Sequence, residues 1–208
     1  GLKKYMNKNI TTFDEWALLG KDRGMERGHH NSVKHMFEMV IKKQASNYSV
    51  IDFGCGNGWV VRKFKEHSLC NEAHGIDGSQ NMIKKAIKKD PNGTYFNEDI
   101  IKWVPTQSYD IVFSMETLYY FENPGMVINK IYDNVLNSSG TLIIGVDHYA
   151  ENVDSLNWGR EFNLNIKTLS IDSWLSLFES AGFLNVVHKQ VESKDSWKGT
   201  LIIQGDKK

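Results

Sequence analysis

Residues 50–60, VIDFGCGNGWV, place Gly54, Gly56, Gly58 and the carboxylate of Asp52 directly behind an apolar run. A buried strand that ends in a glycine turn restricts the chain to a few ligand-binding α/β arrangements. In open α/β sheets ligands bind beyond the carboxyl ends of the strands, and glycine lets the backbone turn tightly and approach them. The spacing then separates the ligand classes. A dinucleotide fingerprint requires glycine at the sixth position counted from Gly54, where this chain has Trp59. A phosphate-binding loop requires Gly-Lys-Ser/Thr, which is absent after this turn. Asp52 adds a sign: a carboxylate at the strand end repels a pyrophosphate resting on a helix N-terminus and favours a positively charged ligand.

The rest of the chain supports the same architecture. Apolar runs at 48–53, 73–76, 94–96, 109–113, 141–146, 183–187 and 200–203 alternate with helical patterns, as in a mostly parallel sheet. Residues 28–44 place Val33, Phe37 and Val40 on one face and predict a helix. Ser79 is suited to cap a helix carrying Met82, Ile83, Ala86 and Ile87. Pro124 opens another, with Val127, Ile131 and Val135 in a stripe running toward Gly140, and a last one spans Ser170 to Ala181 before Gly182. No repeat or low-complexity linker divides the chain, so residues 1–208 are expected to form a single domain. Two segments interrupt the alternation: residues 1–30, expected as an N-terminal helical cap, and residues 147–169, expected as an insertion over the active site.

A phosphate-free, cationic nucleoside ligand fits this turn, and S-adenosylmethionine is one: an adenosine, a sulfonium and a free amino acid. Asp52 can hold the ammonium directly or through water, with Gly54 and Gly56 giving backbone access. Asp77, in HGIDGS, follows Gly58 by 19 residues and is spaced to accept from both ribose hydroxyls. Asp99, in FNEDI, can accept from an adenine amino group while Ile100 offers the ring an apolar surface.

VIDFGCGNG, GIDGS, NEDI and YDIVFSMETLYYFENP, in this order and at these spacings, resemble the successive motifs of class I S-adenosylmethionine-dependent methyltransferases, over roughly half the chain. The resemblance implies a Rossmann-like, doubly wound seven-stranded sheet in order 3-2-1-4-5-7-6 with strand 7 antiparallel, closed by a hairpin of 183–190 and 197–205. It implies that Asp52, Gly54 and Gly56 meet the methionine moiety, Asp77 the ribose, and Asp99 and Ile100 the adenine, with Gly78 and Ser79 also among the cofactor-binding residues. Ser114 and Met115 would then border the reacting sulfur.

The stretch after the fourth strand narrows the acceptor class. Enzymes that methylate nucleobase amines or a glutamine amide resemble one another in an Asn/Asp-Pro-Pro-Tyr/Phe stretch there; this chain has Ser114-Met115-Glu116-Thr117. Zero formal net charge agrees, because phosphate-backbone binding is supplied by lysine and arginine. A small-molecule acceptor is therefore expected, without nucleic acid or membrane as partner. Candidate general bases are Glu26, His29 and His30 in DRGMERGHHNS, and His148 behind the fifth strand. Tyr119, Tyr120 and Trp158 are expected to line the acceptor pocket, under a roof formed by 5–30 and 147–169. No metal site is expected, since adjacent histidines rarely point one way. Two cysteines without framework spacing and no signal-peptide pattern suit a reducing, cytoplasmic setting. The alternatives are a protein that binds S-adenosylmethionine or S-adenosylhomocysteine without transfer and, disfavoured by Trp59 and Asp52, an NAD-dependent oxidoreductase.

Overall fold

The computed structural model describes residues 2–208, with side chains from Lys8 onward. Seven strands form one sheet in the order β3-β2-β1-β4-β5-β7-β6: β1 (Tyr48–Phe53), β2 (Cys70–Asp77), β3 (Thr94–Asn97), β4 (Tyr109–Met115), β5 (Leu136–Val146), β6 (Leu184–Val191) and β7 (Thr200–Asp206). The first five pair in parallel, and β7 runs antiparallel to both β5 and β6. The order and the reversed last strand agree with the expected topology.

Helices α1 (Leu2–Leu18) and α2 (Asp22–Ile41) precede the sheet, and α3 (Trp59–Lys65), α4 (Gln80–Lys89) and α5 (Pro124–Lys130) connect its strands. A short α6 (Trp158–Glu161) and α7 (Ile171–Ala181) lie between β5 and β6. The central strands are buried on both faces, which is why they read as continuous apolar runs. Ile51, Phe53 and Val112 face Val127, Ile128, Trp174 and Phe178 on one side. Val50, Ile111 and Phe113 face Val33, Met36, Val40 and Phe64 on the other.

Two boundaries differ from expectation, each for a local reason. The helix expected over 28–44 begins at Asp22, so DRGMERGHHNS forms its first turns, with an acidic residue favourably placed at the start. The helix opened by Pro124 ends in a π turn over Ile131–Val135, and Leu136 already pairs with Tyr109. The residues beyond it, Asn137-Ser138-Ser139, compete with the helix for backbone hydrogen bonds and favour its end. Ser79 caps α4 as expected, accepting from the Met82 N–H at 3.2 Å.

Candidate active site

All five parallel strands deliver an acid to the same edge of the sheet: Asp52 in β1, Asp77 at the end of β2, and Asp99, Glu116 and Asp147 just past β3, β4 and β5. Two cavities meet there. The smaller, about 160 Å³, is walled by Asp52, Gly54, Gly56, Asp77, Gly78, Asp99, Ile100 and Met115, among the expected cofactor contacts. Ile10 and Phe13 of α1 and Asp22, Met25 and Glu26 of α2 close it.

The glycine turn is shaped by packing as well as by access. Gly54, at φ +81, has no room for a side chain, since a Cβ would come 2.1 Å from the Thr117 hydroxyl. Gly56, at φ +53, is different: a Cβ would meet only the Met82 sulfur at 4.0 Å. Its N–H donates to Asp77 Oδ2 at 2.9 Å, and the Ser79 N–H donates to Asp77 Oδ1 at 2.8 Å. Asp77 is thus oriented by the turn it faces. Among the described residues no donor reaches the Asp52 carboxylate. Burial, and then the neighbouring Asp77, push its pKa well above the usual carboxylate range. Burial likewise raises Asp77 despite its two backbone donors. A buried carboxylate and a half-buried one side by side form a site that a cationic ligand with hydroxyl donors would relieve.

The larger cavity, about 490 Å³, lies between the start of α2 and the segment after β5. Trp16, Tyr119, Tyr120, Trp158, Phe162 and Trp197 supply its aromatic wall, and His29, Glu116 and Asp147 its polar floor. Met25, His29, Glu116 and Tyr120 border both cavities. The roof comes from the two segments that broke the sequence pattern, and specific side chains hold it. Buried Asn9 donates to the carbonyls of Tyr120 (3.0 Å) and Asn165 (2.8 Å) and accepts from the Asn165 N–H. Asn57, in the glycine turn, donates to Asp22 (2.9 Å) and Glu26 (3.2 Å), and Lys85 of α4 pairs with Asp22 at 2.6 Å. The last pair holds Asp22 below its usual range against the cost of burial, which acts the other way.

On the floor, Glu116 adopts φ +57, a conformation that L residues favour little, and so aims its carboxylate into the junction. One oxygen accepts from the Asp147 N–H and the other from the Tyr119 hydroxyl. Asp147 accepts from Thr200 through one oxygen, and its other lies 3.7 Å from His29 Nε2. Burial, and then Asp147, push Glu116 well above its ordinary value. Burial lowers His29, offset in part by Asp147, so a neutral imidazole is favoured. Ligand atoms of these three side chains lie within 4.8 Å of one another.

Several expected contacts are placed elsewhere. Ser79 is committed to capping α4, and its hydroxyl donates to Asp14 of α1 at 2.8 Å, so it anchors α1 and does not border the cavity. Ser114 is buried and donates to the Phe53 carbonyl at 3.0 Å, tying β4 to β1. His148 is fully buried with both ring nitrogens engaged, by the Ser155 carbonyl and the Thr168 hydroxyl, so it braces the segment after β5. His30 is exposed and stacks near Trp59, one position round the helix from His29. Glu26 faces the cofactor cavity and not the larger one. Glu116 and Asp147 are site residues that no local motif marks. The available signal was the repetition of an acid at every parallel strand end.

Residues 23–188 match a family described as "Methyltransferase domain". A malonyl-[acyl-carrier protein] O-methyltransferase 2 from Ilyobacter polytropus is 26% identical over 74% of this chain and 59% of its own length. This chain spans about half the length of the curated relatives it matches. A chain of the complex between the Haloferax volcanii Trm112 methyltransferase activator and a methyltransferase superposes with TM-score 0.79 at 25% identity, covering 93% of this chain and 96% of that one. The N-methyltransferase NodS from Bradyrhizobium japonicum, solved with S-adenosyl-L-homocysteine, gives TM-score 0.66 at 17% identity, covering 88% and 87%. No helix among the described residues is long and apolar enough to cross a membrane. With the sheet order 3-2-1-4-5-7-6 and a family match across most of its length, this chain belongs to the methyltransferase domain family and has the class I S-adenosylmethionine-dependent methyltransferase fold.

Proposed function

We propose that the protein transfers a methyl group from S-adenosylmethionine to a small-molecule acceptor, leaving S-adenosylhomocysteine. The observation that carries this reading is the shared wall of Met25, His29, Glu116 and Tyr120 between a glycine-turn cavity and a larger aromatic one. A donor in the first and an acceptor in the second would meet there. The residues present fit the cofactor: Asp52 offers a buried carboxylate to its ammonium, Asp77 an acceptor to the ribose, and Asp99 with Ile100 a polar edge and an apolar face to the adenine. When bound, S-adenosylmethionine supplies an activated methyl carbon. The protein supplies orientation, exclusion of water by the α1–α2 roof and, for an acceptor that carries a proton, His29 to accept it.

The relatives' names include an O-methyltransferase and an N-methyltransferase, so they leave the acceptor atom open. The test is turnover: the protein is incubated with methyl-labelled S-adenosylmethionine and a metabolite panel, and labelled product and S-adenosylhomocysteine are measured together. Stoichiometric formation of both supports transfer. Tight cofactor binding with no labelled product across the panel would favour a protein that binds the cofactor without transferring its methyl.

A further inference from the structure

We propose that the acceptor is a protonated amine on a flat apolar scaffold, held by its ammonium between Glu116 and Asp147 and surrendering its proton to His29. This deepens the reading of the larger cavity as the acceptor site and rests on it. Three independent features of that cavity point to a cation.

First, its floor carries two recessed carboxyl groups whose ionised form burial disfavours and a bound cation would favour. Asp147 is buried, and Glu116 is held at φ +57, a strained presentation that would be relaxed if the carboxylate only had to reach solvent. The Asp147 oxygen opposite His29 receives no hydrogen bond among the described residues, the imidazole being 3.7 Å away. Second, the wall carries a continuous run of aromatic rings, Trp16, Phe162, Trp158 and Trp197. Trp158 and Trp197 stack at 5.8 Å, and Trp16 meets Phe162 edge-on at 6.2 Å. Indole faces attract a cation and equally accept a flat ring. Third, the positive groups are few and peripheral: Lys21 is exposed at the rim, its ammonium 5.7 Å from the Trp16 ring, while His29 is disposed to be neutral. A carboxylate acceptor would therefore meet the buried Asp147, the half-buried Glu116 and no fixed cation, a repulsion that a low-dielectric floor amplifies.

The chemistry closes on the same residues. The ammonium first gives one proton to His29 Nε2. The nitrogen lone pair then forms the N–C bond as the S–C bond breaks, its electrons going to sulfur, and the positive charge passes from sulfur to nitrogen. That charge arrives beside Glu116 and Asp147, so their attraction grows toward the transition state, which is what accelerates a step. The product leaves as a methylated ammonium, and His29 returns to solvent the proton it accepted.

The ligand atoms of His29, Glu116 and Asp147 are also close enough for a divalent ion. An ammonium can bind through the Asp147 oxygen opposite His29 with Glu116 acting by its charge, whereas a divalent ion would need a direct bond from a Glu116 oxygen that already accepts from the Tyr119 hydroxyl or the Asp147 N–H.

The test uses the protein loaded with S-adenosylhomocysteine and matched probes: benzylamine, phenethylamine and tryptamine against phenylacetic, phenylpropionic and indole-3-acetic acid, with binding measured by calorimetry. The amines are expected to bind and the acids not. Asp147→Asn, which keeps the acceptor for Thr200, is expected to weaken amine binding by about tenfold or more. Its S-adenosylhomocysteine affinity and melting temperature are expected to stay at wild-type values, separating loss of the acceptor site from misfolding. Preferential binding of the acids, no binding by any amine, or amine binding unchanged in Asp147→Asn would overturn the proposal. So would amine binding that EDTA abolishes and a divalent ion restores. Failure of the cofactor reading itself is distinguished at the loading step, where S-adenosylhomocysteine would not bind at all.

Discussion

At the scale of single residues, the site is organised by carboxyl groups whose pKa values burial raises. Glu116 shows the consequence for stability. Its folded pKa lies above the unfolded value of about 4.3, so ionising it in the folded protein costs more than in the open chain. Its contribution is fully present below that unfolded value and is lost as pH rises toward the folded one. Glu116→Gln, which does not titrate, should therefore gain on wild type in melting temperature as pH is raised from 5 to 8. A gap that narrows over this interval would contradict the assignment of buried acid. His29 has the opposite sign: burial lowers its pKa, so it is neutral at and above neutral pH. His29→Ala should reduce kcat for a protonated acceptor by about a hundredfold or more. Stopped-flow turnover with saturating cofactor checks this, and an unchanged kcat would remove the imidazole from the proton path.

At the scale of elements, the cap and the segment after β5 are tied to the sheet by specific side-chain hydrogen bonds as well as by apolar packing. Asn9 joins α1 to both Tyr120 and Asn165, and Asn57 joins the glycine turn to the first turns of α2. Losing a buried amide that serves several backbone groups costs about 1–3 kcal/mol. Asn9→Ala should therefore lower urea stability by about 2 kcal/mol and weaken S-adenosylhomocysteine binding as well, because Ile10 and Phe13 of the same helix close the cofactor cavity. Equal affinity for the ligand would show that α1 roofs the site without restraining it. These ties also explain what was legible. Asp52, Asp77 and Asp99 could be read from local sequence because strand, turn and acid are contiguous. Glu116 and Asp147 become partners only when β4 and β5 lie side by side, 31 positions apart in the chain. The roles of Ser114 and His148 were obscured for a related reason. A hydroxyl or imidazole at a strand end reads alike whether it faces the ligand or, as here, a neighbouring backbone or side chain.

At the scale of the whole molecule, the parallel half of the sheet acts as a comb that sets five acids along one edge, and the helical cap divides that edge into two cavities. The topology was legible because strand periodicity and the glycine turn together exclude most alternatives. The partition into two cavities was not, since it depends on how α1, α2 and the segment after β5 pack over the sheet edge. The central claim is that the smaller cavity takes a phosphate-free, cationic nucleoside through Asp52. Calorimetry of wild type and Asp52→Asn with S-adenosylhomocysteine, set beside NAD, tests it most directly. The account predicts that wild type binds S-adenosylhomocysteine and not NAD, and that Asp52→Asn weakens that binding by about tenfold; tight NAD binding, or equal affinity in the two proteins, would contradict it.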